Sequence, residues 1–353
     1  MQIGRGVWEV GQRIPGEREL ARSFGVSQMT ANRAIQELVR EGLLERRSGS
    51  GTFVCAPSEA AQAAPGRLVL VVPYTDHPED DVYLRRPFQS ICQAVAQHGV
   101  QLQVVQAGAD QYPAIVDSYS GSTFIFAAPH ESSRKTLEAL HSHGVPLVSM
   151  GASWPGARLH CVDSDNRSGA KRAVEYLVRL GHTRIGFVNG DGTTTNCRDR
   201  FQGYREALQS SGTQVCDHWV AQAGGDWEID SNGQAAVVDM LLHPEPVTAI
   251  VAAGFVLSLQ LLKQVGSLRL KVPEDVSVIS LDDSSTAEHL AQPLTAMRQP
   301  LAELGARAAA RALSLLREAD VPAFVDLLPM ELIVRSSCER CGSYGTAPTP
   351  ASR

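Results

Sequence analysis

ERELARSFGVSQMTANRAIQELV, residues 17–39, is the stretch from which the rest of the chain is best read. Leu20, Ala21 and Phe24 are spaced as on the buried stripe of a short helix, and Gly25 breaks that helix. Ser27 then offers a side-chain oxygen to the first turn of a second helix, whose apolar positions Ala31, Ala34, Ile35, Leu38 and Val39 follow the i, i+3, i+4, i+7, i+8 pattern up to Gly42. The spacing predicts a helix-turn-helix. The opposite face of the second helix opens with Gln28, Met29, Thr30, Asn32 and Arg33. Gln, Asn and Arg form paired hydrogen bonds with base edges when such a helix lies in a major groove.

Working outward, LLERR (43–47) and GTFV (51–54) flank Ser48, Gly49 and Ser50, which predicts a β-hairpin with a glycine-rich tip able to approach a phosphate backbone closely. Charge agrees with this reading. The 353-residue chain is −6 overall, yet residues 1–55 hold eight Arg against six Glu, leaving 24 basic against 32 acidic residues in the remainder. A small basic head on an acidic body points to nucleic acid at one end only.

The segments IPGERELA (14–21), VSQMTANRAI (26–35) and GLLERRSGSGTFV (42–54) together resemble the winged helix-turn-helix of the GntR family, nearest to its HutC-like wording. That resemblance implies double-stranded DNA as partner, with Arg18, Ser27, Gln28, Thr30 and Asn32 on phosphates or bases, Arg33 close by, and Arg47, Ser48 and Gly49 as the wing contact. Two positions depart from the family: Gly16 stands where Ser is usual, weakening a helix cap, and Gln28 where Arg is usual, altering base preference. The family's first helix is also reduced to a remnant before Gly4, which suggests either a start further upstream or a smaller core.

APSEAAQAAPG (56–66) is small-residue, low-complexity and bounded by proline, as a linker is. From Arg67 onward strands alternate with helices: strands over 68–72, 102–105, 123–127, 146–150, 185–188, 249–252 and 276–280, and helices over 86–98, 133–143 and 167–180 and around Phe201 and Ala235. This alternation predicts parallel sheets, and it is too long for one open sheet, so two α/β lobes are expected. Ligands of parallel sheets sit beyond the carboxyl ends of the strands. The candidates there are Tyr74, Thr75 and Asp76, then Asp191 to Asn196 with Arg200 in reach, and finally Asp282 and Asp283. An Arg with one or two Asp suits the vicinal hydroxyls of a sugar, although Asp residues after strands also serve as helix caps.

DSDNRSGA (163–170), YLVRLGHTRIGF (176–187), RFQGY (200–204), VPEDVSVISLDD (272–283), PLT (293–295) and LIVRSSC (332–338) are similar in wording and order to the effector domain of the lactose/galactose repressors. The resemblance implies a two-lobed periplasmic-binding-protein-like α/β fold, a homodimer, and an effector held by Arg200 and Asp282. Ala253 and Gly254, followed by Phe255, replace the family's usual Asn-Asp, which changes the pocket and leaves open a less hydroxylated ligand, or none.

The organisation expected is therefore a DNA-binding domain over 1–55, a linker over 56–66, lobe 1 over about 67–181 and 296–320, lobe 2 over about 182–295 and 321–337, and a disordered tail over 338–353. The function expected is sequence-specific transcriptional regulation, with repression favoured, on a near-palindromic operator under control of a sugar-like effector. A transport solute-binding protein is the competing class, matched by the body alone. An enzyme is not expected. VNGDGTTT (188–195) lacks the spacing of a phosphate-binding loop, and Ser258, Asp283 and His289 lack triad wording. No cofactor or metal is expected either: Cys338 and Cys341 form the one CxxC pair and read as thiols of a frayed terminus, and seven scattered cysteines suit a reducing compartment. The opening residues hold no apolar signal-peptide core and no window spans a membrane, so a cytoplasmic location is expected.

Overall fold

The computed structural model describes residues 11–40, 44–47, 51–54, 66–74, 82–213, 215–224, 227–317 and 322–342. Contacts divide the chain into two units, 1–66 and 67–353.

In the first unit, α1 (Glu17–Phe24) and α2 (Gln28–Arg40) are followed by β1 (Leu44–Arg47) and β2 (Gly51–Val54). Gly25 closes α1 in the left-handed region at φ 65°, a conformation glycine adopts without strain. Gly16 precedes α1 without any side-chain cap, as its lack of a hydroxyl requires. Ser27 caps α2: its Oγ accepts from the Thr30 N–H at 3.1 Å. Ile14, Leu20, Ile35, Leu44 and Val54 form the core, with Leu38 and Val39 against it. Two positions of the expected stripe lie outside this core. Phe24 is 53% exposed, and Ala34 is exposed. The helical period places both near the seam but does not say how far the small core extends around each helix. β1 and β2 pair antiparallel from Leu44↔Val54 to Arg47↔Gly51, and residues 11–14 run along β2 through an Arg13–Phe53 bridge.

The second unit holds two six-stranded sheets. Lobe 1 is built on β3 (Arg67–Val72), β4 (Gln101–Gln106), β5 (Thr123–Ala127), β6 (Leu147–Met150), β7 (His160–Ser164) and β13 (Val325–Leu328), in the order β13-β7-β6-β5-β3-β4 and parallel throughout. Its helices are α3 (Val82–His98), α4 (Tyr112–Ser118), α5 (Arg134–Ser142) and α10 (Leu301–Leu315). Lobe 2 is built on β8 (Ile185–Asn189), β9 (Val220–Gln222), β10 (Ala249–Ala252), β11 (Ser277–Ser280), β12 (Thr295–Arg298) and β14 (Glu331–Ile333), in the order β14-β12-β11-β10-β8-β9, with only β14 antiparallel to its neighbour. Around it pack α6 (Asn166–Arg179), α7 (Thr195–Ser210), α8 (Ser231–Leu242) and α9 (Phe255–Ser267).

The chain passes between lobes three times, at Asp165, at Gln299-Pro300 and at Pro329. This corrects the expected division. Residues 166–181 belong to lobe 2, because Ala170, Ala173, Val174 and Leu177 of α6 are buried in that lobe's core. Residues 296–298 also belong to lobe 2, and β13 joins lobe 1 beside β7. Alternation of strand and helix carries no information about which sheet a strand joins. The expected tail is corrected too: residues 338–342 are tied down. The Cys341 N–H donates to the Leu180 carbonyl at 2.9 Å and Cys338 donates to the Val278 carbonyl at 3.2 Å, where burial pushes its thiol pKa up to about 12. The linker over 56–65 and the tail over 343–353 lie outside the described residues.

Candidate functional site

On the first unit, the face of α2 away from the core presents Gln28, Met29, Thr30 and Arg33 to solvent, with Arg18 of α1 and Ser27 also exposed. Met29 is 82% exposed, so its apolar side chain shares the polar face rather than the core. Ser27 and Thr30 are engaged with each other, Oγ to Oγ1 at 2.7 Å, as part of the cap. Asn32 is half-buried, and its Oδ1 accepts from Arg46 Nη2 at 3.1 Å while the same nitrogen pairs with Glu17 at 2.8 Å. Arg46 thus ties α1, α2 and β1 together and orients Asn32, a role that spacing did not disclose. The Arg47 side chain, Ser48 and Gly49 lie outside the described residues.

On the second unit, the candidate site is the cleft at the carboxyl ends of the strands. Arg200, on α7, is 1% exposed and fully engaged. Its Nε donates to Asn166 Oδ1 at 2.8 Å, Nη1 donates to the Ala253 carbonyl, and Nη1 and Nη2 reach the two oxygens of Asp282 at 3.2 and 3.1 Å. A buried guanidinium with a two-pronged carboxylate is fixed in direction, and Asp282 remains 29% exposed to the cleft. Gln299 donates to the same carboxylate from the second lobe crossing. Asp283 is different. It is 4% exposed and held by Arg298 and Arg335 at 2.8 Å each, so it knits β11 to β12 and the chain after β14.

Of the other expected positions, Phe255 heads α9 and packs half-buried on the lobe 2 core, one residue beyond Gly254. Tyr74 is 63% exposed at the end of β3 and is not joined to the Arg200 cluster, and Asp76 lies outside the described residues. Asp191 is occupied by its own turn, accepting from the Thr193 N–H and hydroxyl.

Sequence reading missed Trp227. Its indole covers two backbone segments of the cleft floor: a Cβ on Gly254 would lie 3.2 Å from its Cζ3 and 3.5 Å from Asp282 Oδ2, and one on Gly190 would lie 3.1 Å from the ring. An aromatic ring and a carboxylate therefore meet across a single bare glycine. The one available signal was a tryptophan just past β9, at the ligand end of the sheet.

Reasoning from spacing also missed the cross-lobe contacts. Arg198 of α7 donates to Glu131 at 2.7 Å and to the Ser153 carbonyl at 3.0 Å, both in lobe 1, and the Glu131 N–H donates to the Thr193 carbonyl in lobe 2 at 2.9 Å. Arg198 also pairs with Asp199 at 2.8 Å. Beside them Asp163 is buried, accepting from the Ser164 N–H at 2.8 Å and the Ser153 hydroxyl at 3.2 Å. Burial, then the Asp199 charge, outweigh those bonds and Arg200 and raise its pKa to about 7. Among the described residues no group of three or more His, Cys, Asp or Glu is arranged to hold a metal ion, and no helix is long and apolar enough to cross a membrane.

Comparison with known proteins gives two matches on one chain: residues 1–54 match the bacterial regulatory proteins of the gntR family, and residues 174–338 match a periplasmic binding protein-like domain. A gntR-type DNA-binding domain thus stands ahead of a periplasmic binding protein-like domain on one chain, the make-up of a transcriptional regulator. Among relatives of this regulator, HTH-type transcriptional regulator DegA of Bacillus subtilis is 28% identical over 336 residues, covering 90% of this chain and 96% of DegA. An arabinose metabolism transcriptional repressor of Geobacillus stearothermophilus is 27% identical, covering 92% and 91%. The repressor CytR of Escherichia coli is 34% identical over 192 residues, 54% of this chain and 55% of CytR. In fold, the regulator resembles a transcriptional regulator LacI from Bacillus cereus subsp. cytotoxis (TM-score 0.70, 24% identity, 78% of this chain and 99% of that one). It also resembles the regulator CelR solved as a cellobiose complex (TM-score 0.68, 24% identity, 92% and 100%).

Proposed function

We propose that this regulator is a repressor that binds a near-palindromic operator as a homodimer and releases or grips it according to a sugar-like ligand in the cleft. The observation that carries the ligand reading is the meeting of Trp227 and the Arg200–Asp282 pair over Gly254. A pyranose or furanose ring offers apolar C–H groups on one face and hydroxyls at its edge. The indole takes the face, and Asp282, fixed by Arg200 and Gln299, accepts from two adjacent hydroxyls. The relatives named for arabinose metabolism and solved with cellobiose support a carbohydrate class.

The DNA reading rests on the exposed start of α2. Gln28 and Arg33 present the donors that read base edges, while Arg18 supplies charge toward phosphate. Two copies set about 34 Å apart meet successive major grooves. The dimer reading is supported by the outer face of α9, where Val256 and Leu259 are 52% and 38% exposed beside a shallow cavity of about 380 Å³ lined by Leu262, Leu270 and Leu290. Ligand acts on DNA affinity only through its different affinity for the two arrangements of the lobes. Binding an operator sets the regulator's place of work in the cytoplasm, where the DNA is.

Fluorescence anisotropy on the gene's own upstream DNA and on scrambled DNA, across salt and with a panel of mono- and disaccharides, tests this. Salt-sensitive, sequence-dependent binding that one sugar alters is the expected result. Binding indifferent to every sugar, with the same indifference in Trp227→Ala, removes the ligand reading and leaves the DNA reading standing.

A further inference from the structure

At the amino ends of the lobe 1 strands, away from the cleft, several polar nitrogens are buried without a use. His160, the first residue of β7, is 0% exposed, and neither of its ring nitrogens has a hydrogen-bond partner. Its ring meets that of His141, at the end of α5, edge-on with centroids 5.4 Å apart, and the buried Nδ1 of His141 is also unpartnered. Arg311 of α10 is anchored by its Nη2 on the Pro322 carbonyl at 3.2 Å and by its guanidinium over Phe324 at 4.3 Å, which leaves its buried Nε–H unpartnered. Four nitrogens of three side chains on three elements are thus unsatisfied in one neighbourhood. Leaving buried polar groups unsatisfied is costly, and such groups in a folded protein call for a partner.

His141 borders a cavity of about 850 Å³ lined also by Glu138, Ser142, Arg158, Pro322 and Ala323, and the other two side chains adjoin it, Arg311 through Pro322 and His160 through His141. Its chemistry selects the partner. Arg158 is exposed on the cavity wall and Arg311 lies behind it, whereas the one carboxylate of the lining, Glu138, is paired with Arg134 at 3.2 Å. A metal cation is disfavoured by the two guanidiniums and by the lack of a third ligand of its own among the described residues. An oxyanion accepts from a donor on each of these side chains.

We propose that this cavity is a second ligand site of the regulator, for a small oxyanion of the phosphate or sulfate type held by His141, Arg158 and Arg311 with His160 beneath. The proposal does not depend on the sugar reading of the cleft. Burial, then the nearby Arg311 and His141, hold the His160 pKa down to about 4, so its ring is neutral while no anion is bound. Charge from an anion reverses that balance and favours the protonated ring, which then donates from both nitrogens.

The test is a sulfate titration of the full chain at constant ionic strength against chloride, followed by the imidazole resonances of His141 and His160 in ¹H–¹⁵N spectra, with inorganic phosphate as a second probe. The expected result is saturable movement of both imidazoles toward the protonated form, and a loss of affinity of at least about tenfold in Arg158→Ala. Arg158 is exposed, so that variant keeps the fold. His141→Ala, on a half-exposed helix end, is the second variant, read through His160 alone. Resonances unmoved by either anion up to about 50 mM, or moved equally in wild type and Arg158→Ala, overturn the proposal.

Discussion

Replacing Arg198 with alanine isolates what holds the two lobes together. The side chain makes two cross-lobe bonds, to Glu131 and to the Ser153 carbonyl, while the backbone bond from Glu131 to Thr193 remains. Arg198 and Glu131 are 37% and 40% exposed, so solvent screens their pairing to roughly 0.2–1 kcal/mol. The bond to the Ser153 carbonyl adds about 1 kcal/mol. The closed arrangement therefore loses about 1–2 kcal/mol relative to the open one, a shift of roughly 5- to 30-fold in their ratio. Removing the cation also leaves Glu131, Asp199 and the neighbouring Asp163 facing one another, which acts in the same direction. The amide of Glu131 is a built-in reporter, because its partner lies in the other lobe. Its hydrogen exchange should accelerate by the same 5- to 30-fold in Arg198→Ala, while amides inside β5 and β10 keep their protection. Unchanged exchange at Glu131 would show that closure does not depend on Arg198.

Arg33→Ala and Gln28→Ala should each weaken operator binding by about 1–3 kcal/mol, and Arg18→Ala should lower the salt slope by about one; anisotropy across salt reads both effects, and unchanged affinity in the first two would move the base-reading face off α2. Arg200→Ala leaves Asp282 with Gln299 alone, so the ligand response should vanish while operator binding stays, and a retained response would exclude the pair from the ligand site. Asp163 has its pKa raised to about 7, so its protonated form suits the fold: the native advantage is complete below about pH 4 and is lost as pH rises through 7. Asp163→Asn should therefore match wild type at pH 4 and exceed it at pH 8 by on the order of a few kcal/mol in urea unfolding, whereas an equal offset at both values would contradict the titration. Gly305→Ala places a methyl 2.3 Å from the Pro87 carbonyl oxygen, where α10 crosses α3, and should lower stability by roughly 1–3 kcal/mol in the same assay.

The helix pair was legible because its signals are local: a capping Ser27, a breaking Gly25 and a 3.6-residue period leave little freedom once read together. Most strands of the body were legible as short apolar runs such as LVLVV and TFIFA. β7 was not, because HCVDS mixes polar and apolar residues in a fully buried strand and so offers no apolar run to read. α6 was recognised as a helix but given to the wrong lobe, since its buried face fixes the partner sheet only in three dimensions. Arg200 and Asp282 came forward from their places beyond the strand ends, sharpened by resemblance, and the geometry joins them. Arg198 and Arg46 gave no local sign, because each acts on residues brought near by the fold. Arg198 reaches 67 positions back to Glu131.

The three crossings between the lobes bear on how such a body is inherited and dissected. No single uninterrupted stretch of the gene encodes either lobe, because each is completed by segments returning from the far side of the other. A protease cut at one crossing leaves two covalent ties in place, and a terminal truncation before β13 strips an edge strand from both sheets at once. Residues 1–66 form a unit joined to the body by a single passage of chain. Exchange of that unit between genes needs one break, whereas exchange of a lobe needs several, so DNA-reading heads are free to travel over bodies that change only as wholes.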